Sequence, residues 1–373
     1  MKRILIVATT SYAGMGPYVS EIVNTFSPDD DVYFFFHDYE DDFFKKNVKK
    51  ELHEKSVFYK EANSINNKLH SLLFKWNKYD KCLLKICKEK GISLVHYLNG
   101  TPSVNMQNRY KNLGVQVVVT VHDLIPHETK KAWHKQFRQR MIYKRQGENL
   151  AVVNSFITNS KHQFDLLNNR FKGRKIAFHD FPSLVTDTII NGNEQPKELV
   201  STVKPYILFF GRIEEYKGVS LLYQAFIGDK RINEDYNLVI AGGGDLNLSK
   251  PYHKNVIMIN RYIKDSEIAY LYKNASCVVY PYISATQSGV MSIAFYFNIP
   301  VVASDVPFFK GILEHSNTGL LFKKGDVDDL KEKLHSILTM DCNEIKLSQQ
   351  KYYHENYDGS SIRQSLLSIY ENQ

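Results

Sequence analysis

The sequence lacks several features that define other classes of protein. No apolar run approaches the roughly 20 residues that a membrane-spanning helix needs, and the 373 residues contain no internal repeat or low-complexity tract. The cysteines form no C-x-x-C pair and have no histidine at zinc-finger spacing; they are Cys82, Cys87, Cys277 and Cys342. These absences argue against a membrane-spanning protein, a repeat array and a zinc finger. They predict buried thiols in a reducing cytoplasm.

The charge is unbalanced toward the positive side, with a net charge of +8 and a pI near 9.0. Lysine and arginine are dense over Lys45–Lys55 and Lys130–Arg145, with apolar residues between them. Such segments suit an anionic membrane face or a phosphate-bearing acceptor, and a solvated helix face explains them equally well. No nucleic-acid recognition signature accompanies the charge, so we predict no nucleic-acid partner.

Short apolar runs alternate with helix-length segments along the whole chain, which predicts parallel, doubly wound α/β sheets. The predicted strands are Ile4–Val7, Val32–Phe36, Leu94–Tyr97, Val115–Val121, Ser155–Thr158, Tyr206–Phe210, Leu238–Ala241, Val256–Ile259, Cys277–Tyr280, Pro300–Ala303 and Leu320–Phe322. We interpret the first run as a buried strand and not as a signal peptide.

A polar stretch between Phe181 and Pro205 interrupts this alternation and is typical of a linker. We therefore predict two Rossmann-like domains that meet near residue 195. The first spans 1–190 and the second 200–354, and a terminal helix over 355–373 joins the first domain.

Ligands of open α/β sheets bind beyond the carboxyl ends of the strands, and this rule selects five loops. The first is Ala13–Pro17, where Gly14, Met15 and Gly16 precede a helix whose N-terminus offers N–H groups to an anion. Position 19 is valine, so the loop is not a G-x-G-x-x-G dinucleotide fingerprint. A plain strand-to-helix turn remains an equal alternative.

The second loop, Phe210–Gly218, carries Arg212 and Lys217 directly after a strand. A guanidinium and an ammonium five residues apart on one loop can converge on a diphosphate. Two exposed surface cations are the alternative interpretation.

Three further loops hold small or polar residues. Ala241–Asp245 contains three glycines that permit close contact with a base or ribose, or simply make a flexible turn. Ser284–Val290 places hydroxyl groups, Gln287 and a glycine at a helix start, where they can form a nest for phosphate and cap the helix. Thr120–Asp123 brings His122 and Asp123 to a strand end, where the histidine is either structural or functional.

Taken together, these motifs resemble those of the retaining glycosyltransferases of family 4. The residues that carry the resemblance are Gly-Arg-x4-Lys-Gly at 211–218, the Gly-Gly-Gly-Asp loop at 242–245, the Ser-Gly-Val helix start at 288–290 before Pro-Val-Val-Ala-Ser at 300–304, and Thr-Gly-Leu-Leu-Phe at 318–322 with Gly-Asp at 325–326. The resemblance is dense from about residue 205 to 330 and looser before. It implies the GT-B fold, in which two Rossmann-like domains face a cleft.

The resemblance also implies roles for individual residues. The catalytic set would be Arg212, Lys217 and His122, and Asn99 and Asp123 would lie on the acceptor side. The nucleotide-sugar donor would contact Gly14, Met15, Gly16, Gly211, Gly243, Gly244, Gln287, Ser288, Gly289 and Val290. The family works without a bound metal, so no cofactor is expected.

One departure from the family pattern concerns its Glu-x7-Glu motif. Counting back from Pro300, the two glutamate positions hold Ala285 and Ile293. The second glutamate normally binds the ribose hydroxyls, which Ile293 cannot do. The chain therefore resembles a branch with Thr-Gln-Ser-Gly in place of this motif.

The resulting expectation is a cytoplasmic glycosyltransferase, peripheral at the inner membrane face, that uses a UDP- or GDP-linked sugar in surface polysaccharide or glycolipid assembly. Its acceptor would be a saccharide or a lipid-linked molecule. The alternatives are a degenerate GT-B protein that binds a partner or sugar without catalysis, and a nucleotide-sugar epimerase or hydrolase on the same fold.

Overall fold

The chain divides into two compact units in the computed structural model. Unit 1 comprises Met1–Asp180 together with Gly359–Gln373, and unit 2 comprises Phe181–Asp358. The structure describes residues 2–11, 15–38, 42–60, 78–122, 124, 143–200, 204–245, 252–285 and 288–373.

Unit 1 contains a parallel sheet of seven strands in the order β3-β2-β1-β4-β5-β6-β7. Every residue of β1 is apolar and buried, as expected for a central strand covered on both faces. The strands are β1 Ile4–Ala8, β2 Val32–His37, β3 Ser56–Tyr59, β4 Leu94–Tyr97, β5 Gln116–Thr120, β6 Ser155–Thr158 and β7 Lys175–Phe178.

Unit 2 contains a parallel sheet of six strands in the order β10-β9-β8-β11-β12-β13. Its central strands are apolar and almost wholly buried, and they form one hydrophobic core with the helices around them. The strands are β8 Tyr206–Phe210, β9 Asn237–Ala241, β10 Val256–Ile259, β11 Ala275–Tyr280, β12 Val301–Ser304 and β13 Leu320–Phe322.

The α-helices connect successive strands across the faces of the two sheets. Several begin at a side-chain cap, such as Ser103, Ser160 and Asp326, whose oxygens accept backbone N–H groups of the first helical turn. The helices are α1 Met15–Asn24, α2 Phe43–Asn47, α3 Lys78–Lys90, α4 Val104–Asn112, α5 Lys161–Arg170, α6 Asp187–Asn191, α7 Val219–Ile227, α8 Lys230–Asn233, α9 Asp265–Lys273, α10 Val290–Tyr296, α11 Pro307–Ser316, α12 Val327–Thr339, α13 Asn343–Tyr352 and α14 Gly359–Glu371.

Shorter helical segments complete the two units. They are the 3-10 turns Lys50–Lys55, Lys197–Leu199 and Glu215–Lys217, a π-helical turn Tyr353–Tyr357 and an α-helical stretch over 143–151. Within the described ranges, no helix is long and apolar enough to cross a membrane.

The segment that follows Asp180 belongs to unit 2. Helix α6 packs against α9, and the backbone N–H of Glu194 donates to the carbonyl of Ser266 at 2.9 Å. Ile189 and Leu199 are buried in the core of unit 2. The division therefore falls after Asp180, whereas the polar composition placed it near residue 195, because this polar stretch carries two apolar anchors.

The last helix, α14, returns to unit 1 and packs against α1. Arg363 Nε donates to a carboxylate oxygen of Asp30 at 2.8 Å. At the far end of the helix, the Tyr370 hydroxyl lies 2.7 Å from Nδ1 of His96, a buried side chain of β4. The helix thus contacts the sheet as well as α1. The sequence predicted a terminal helix over 355–373, whereas the helix begins at residue 359.

A pH-dependent loss of stability follows from the burial of His96. Its other ring nitrogen, Nε2, lies 2.8 Å from the Thr120 hydroxyl. Burial lowers the pKa of His96 from 6.5 to about 3, with a smaller contribution from nearby His179 and His122. Between these values the unfolded chain binds a proton that the folded chain does not, so stability falls as the pH falls below 6.5.

We predict that proton binding by His96 in the unfolded chain lowers the free energy of unfolding of the wild type by about 2 kcal/mol when the pH falls from 7 to 5. Urea unfolding of the wild type and of His96→Gln at both pH values measures it. The variant should be less stable at pH 7 and lose less on acidification. Parallel losses in both proteins would contradict the assignment.

Candidate active site

The strand order of unit 2 reverses direction between β8 and β11, which is the place where open parallel sheets bind ligands. The loop after β8 and the loop after β11 both leave the carboxyl edge of the sheet at this point. Their backbones are joined directly, because the N–H of Ile283 donates to the carbonyl of Tyr216 at 2.7 Å. The two loops therefore form one structural element.

The closeness of the two loops requires glycine at position 218. Gly218 has a φ of 64°, and a Cβ there would stand 1.9 Å from the carbonyl oxygen of Pro281. Any other residue would both strain the backbone and push the loops apart.

Lys217 lies at the centre of this junction. Its Nζ donates to the hydroxyl of Tyr282 at 3.0 Å and lies 4.8 Å from the centre of that ring. The ring of Tyr216 is 5.9 Å away on the same loop. A Cβ at Gly211 would stand 3.2 Å from the same nitrogen, so the glycine leaves room for the ammonium.

Arg212 has a different environment from Lys217. Its side chain is 61% exposed, and its guanidinium forms an ion pair with Glu214 at 3.0 Å. Glu214 also faces the phenol of Tyr216, and burial together with this carboxylate raises the pKa of the phenol, which stays neutral. The structure thus seats Lys217 against aromatic rings and leaves the guanidinium at the surface of its unit.

The glycine loop after β9 lies against the start of the β8 loop. A Cβ at Gly242 would stand 1.9 Å from the carbonyl oxygen of Gly211, so only glycine allows this approach. The N–H of Ile213 donates to the carbonyl of Gly243 at 2.9 Å. Gly244 exchanges two hydrogen bonds with the side chain of Asn260, at 3.1 and 2.9 Å, which fixes its peptide groups.

Of the phosphate nest predicted before α10, the structure describes Ser288, Gly289 and Val290. Gly289 packs under Leu184, whose Cδ1 would lie 2.3 Å from a Cβ at 289. Ser292 accepts the N–H of Leu184 at 3.0 Å and donates to the carbonyl of Gly289 at 2.6 Å. The helix start is therefore covered by residues 181–184 on one side.

The two positions that correspond to the Glu-x7-Glu motif of glycosyltransferase family 4 hold Ala285 and Ile293, and both lie among apolar residues. Ile293 is 2% exposed and belongs to the hydrophobic core of unit 2, and Ala285 packs against the same core. A carboxylate at 293 would need a buried partner that this core does not offer.

In unit 1 the strand order reverses between β1 and β4, and Asn99 joins the two loops there. Its Oδ1 accepts the N–H of Thr9 at 2.6 Å and the Thr9 hydroxyl at 3.1 Å, and its Nδ2 donates to the carbonyl of Thr10 at 2.8 Å. Asn99 is buried, so it shapes the loop after β1. Met15 and Gly16 follow that loop at the start of α1, and a Cβ at Gly16 would meet the ring of Phe43 at 2.5 Å.

His122 follows β5 and lies beside the loop after β4 and helix α1. Its Nε2 is 2.8 Å from the carbonyl oxygen of Leu98, and its ring stands edge-on to Tyr18 at 4.8 Å. Tyr18 is buried and donates to Asn159 at 3.0 Å, and burial raises the pKa of this phenol. The carbonyl contact fixes the orientation of the imidazole and explains why a polar side chain is stable there.

Three predicted site residues, Gly14, Asp123 and Gln287, lie outside the described residues. The basic segment Lys130–Arg145 also lies outside them, apart from residues 143–145. The segment Lys45–Lys55 spans the end of α2 and a 3-10 turn. Among the described side chains, no group of three or more histidine, cysteine, aspartate or glutamate residues is arranged to hold a metal ion.

Sequence reasoning missed Tyr282 and Asn260. Both residues follow a strand of unit 2 directly or within two positions, at the carboxyl edge where the other site residues lie. That position was the available signal. Neither belongs to a glycine- or charge-rich motif, so no motif of that kind indicates them.

Residues 191–356 match the family described as Glycosyl transferases group 1. This segment contains almost all of unit 2 and less than half of the chain. A phosphatidyl-myo-inositol mannosyltransferase of Mycobacterium leprae is 28% identical over 171 residues, which are 44% of this chain and 46% of the relative. The chain thus spans about half the length of this curated relative.

Solved structures match over the whole chain. HepE of Anabaena in complex with UDP has a TM-score of 0.71 at 15% identity and covers 100% of both chains. A sucrose-phosphate synthase from Thermosynechococcus elongatus has a TM-score of 0.68 at 15% identity, over 100% of this chain and 99% of the other. These TM-scores indicate that this chain, with its two parallel sheets, shares its fold with both structures.

The chain has the GT-B fold.

The glycine at position 218 provides a stability test of this GT-B protein. Gly218→Ala should lower the unfolding free energy by at least about 3 kcal/mol, because strain at positive φ adds to the collision with Pro281. Gly325→Ala is the matched control in the same unit, since Gly325 has a φ of 80° with nothing within 4 Å. The control should lose about 1 kcal/mol in urea unfolding. Equal losses would show that the close approach is not required.

Proposed function

We propose that the chain is a glycosyltransferase that moves a sugar from a nucleoside diphosphate sugar to a saccharide or lipid-linked acceptor. The observation that carries the proposal is the seating of Lys217 at the strand reversal of the unit that matches Glycosyl transferases group 1. A fixed cation at that place suits a ligand with a diphosphate. The mannosyltransferase relative supports the same activity.

On the donor side, Lys217 and Arg212 stabilise the negative charge that develops on the departing diphosphate. Such stabilisation by preorganised groups is the main requirement when the bond from sugar to phosphate breaks. The loop with Gly243 and Gly244 lies beside the base, and the backbone of 288–290 contributes N–H groups. HepE has been solved with UDP and with UDP-glucose, which supports a nucleotide-linked donor.

On the unit 1 side, His122 contacts the transferred sugar, and the loop that includes Gly16 faces the sugar and phosphates. Asn99 acts on this side by holding the loop after β1 in place. We further propose a retaining reaction in which departure and attack occur on the same face of the sugar, without a bound metal. These assignments rest on the resemblance of the motifs to glycosyltransferase family 4.

A non-catalytic binding protein is the second candidate, because Ala285 and Ile293 replace both glutamates of the family motif and Ile293 is part of the core. Calorimetric titration with UDP and GDP separates the two functions. Absence of nucleotide binding favours the non-catalytic protein. Product analysis with and without acceptor distinguishes a transferase from an epimerase or hydrolase, which consumes donor in both cases.

The proposed transferase should depend on both cations of the β8 loop. Lys217→Ala and Arg212→Ala should each lower turnover by at least ~100-fold, the order seen when one preorganised donor is removed. Lys254→Ala is the control, since Lys254 is an exposed cation just before β10, at the opposite edge of the sheet. Near-normal turnover in both test variants would end the assignment.

We also propose that the protein works in the cytoplasm at an anionic membrane face, with Lys130–Arg145 as the contact, in polysaccharide or glycolipid assembly. Replacing the lysines and arginines of this segment by glutamine should weaken sedimentation with anionic liposomes, since each cation contributes about 1 kcal/mol near such a surface. Neutral liposomes serve as the control. Unchanged binding and activity would remove this part of the proposal.

A further inference from the structure

Lys217 is the cation most closely surrounded at the proposed donor site, and its surroundings are aromatic. The hydroxyl of Tyr282 accepts a hydrogen bond from Nζ at 3.0 Å, and the ring of the same residue lies 4.8 Å from it. One side chain thus provides both a polar contact and a π face. Tyr216 adds a second ring at 5.9 Å.

Tyr282 is itself held rigidly. It is 2% exposed, and its ring stands edge-on to Phe309 at 5.1 Å and to Tyr280 at 6.0 Å. Its backbone carbonyl accepts the hydroxyl of Ser304 at 2.6 Å, which ties the loop to β12. The phenol therefore has a fixed position at the carboxyl edge of the sheet, where the strand order reverses between β8 and β11.

A lysine side chain has four rotatable bonds and carries about 2 kcal/mol of rotamer entropy. An exposed lysine would lose this freedom on binding each ligand. A lysine held by a buried phenol has already lost it. The ammonium has three N–H donors, and Tyr282 accepts one of them, which leaves two for a ligand.

We propose that Tyr282 is a positioning residue that holds the Lys217 ammonium at the strand reversal and directs its remaining donors to the diphosphate of the donor. This inference rests on the proposed function. The phenol lies on the same loop as Ala285, the first position of the Glu-x7-Glu motif, and it fixes a cation without adding a negative charge. It acts on the substrate only through Lys217.

Tyr282→Phe separates positioning from packing, because it removes the hydroxyl and keeps the ring among Phe309 and Tyr280. Loss of a hydrogen bond to a charged group predicts about tenfold weaker binding of UDP or GDP, whichever the wild type binds. Turnover should fall by a similar factor at saturating donor, and the urea midpoint should change little.

A double-mutant cycle with Lys217→Ala is the decisive measurement. If Tyr282 acts through Lys217, Tyr282→Phe should weaken nucleotide binding in the wild type and have no further effect in Lys217→Ala. Isothermal titration calorimetry gives the four dissociation constants without requiring turnover of the impaired variants.

Tyr280→Phe is the matched control, since the Tyr280 hydroxyl is also buried and donates to the carbonyl of Val290 at 2.9 Å, away from Lys217. Its effect on nucleotide binding, if any, should be the same with and without Lys217. An additive effect of Tyr282→Phe would overturn the positioning role while the proposed function stands. A wild type that binds neither nucleotide would overturn both.

Discussion

The meeting of two loops at the strand reversal of unit 2 is the constraint on which the candidate site depends. Parallel strand order brings the ends of β8 and β11 together, and the absence of a side chain at Gly218 lets Pro281 approach. That approach places Lys217 against Tyr282. A cation that is oriented before the ligand arrives needs no reorganisation when charge develops, which is where preorganised electrostatics has its largest effect.

Much of the fold could be predicted from the sequence, because central parallel strands are continuous apolar runs. The predicted β4, β6, β8, β10 and β13 have the same bounds in the structure. Strands β3 and β7 were not predicted, because each has only three consecutive apolar residues after a polar or charged one and is partly buried or exposed. The edge strands β10 and β13 are also partly buried, but β10 is wholly apolar and β13 lies within the Thr-Gly-Leu-Leu-Phe motif. The motif Gly-Arg-x4-Lys-Gly indicates the loop of Lys217 but not its partner, because the contact with Tyr282 joins residues 65 positions apart.

The two positions where the resemblance to family 4 would place glutamates are apolar, and this difference has a structural counterpart. Ile293 completes the core beneath α10, and Ser292 next to it ties the helix start to residue 184. A helix that is bound in this way on both sides is a rigid support for the preceding loop. The apolar side chain at 293 is therefore part of this packing, and a glutamate placed there alone would bury an unpaired charge.

The return of α14 to unit 1 has a consequence for biosynthesis. The residues that follow Asp358 supply the Tyr370 partner of His96 and the Arg363 partner of Asp30, so the packing of unit 1 lacks these contacts while unit 2 is being translated. Unit 2 is one continuous segment, so its folding does not depend on α14. The half of the protein that is synthesised first thus depends on a helix that is synthesised after the other half.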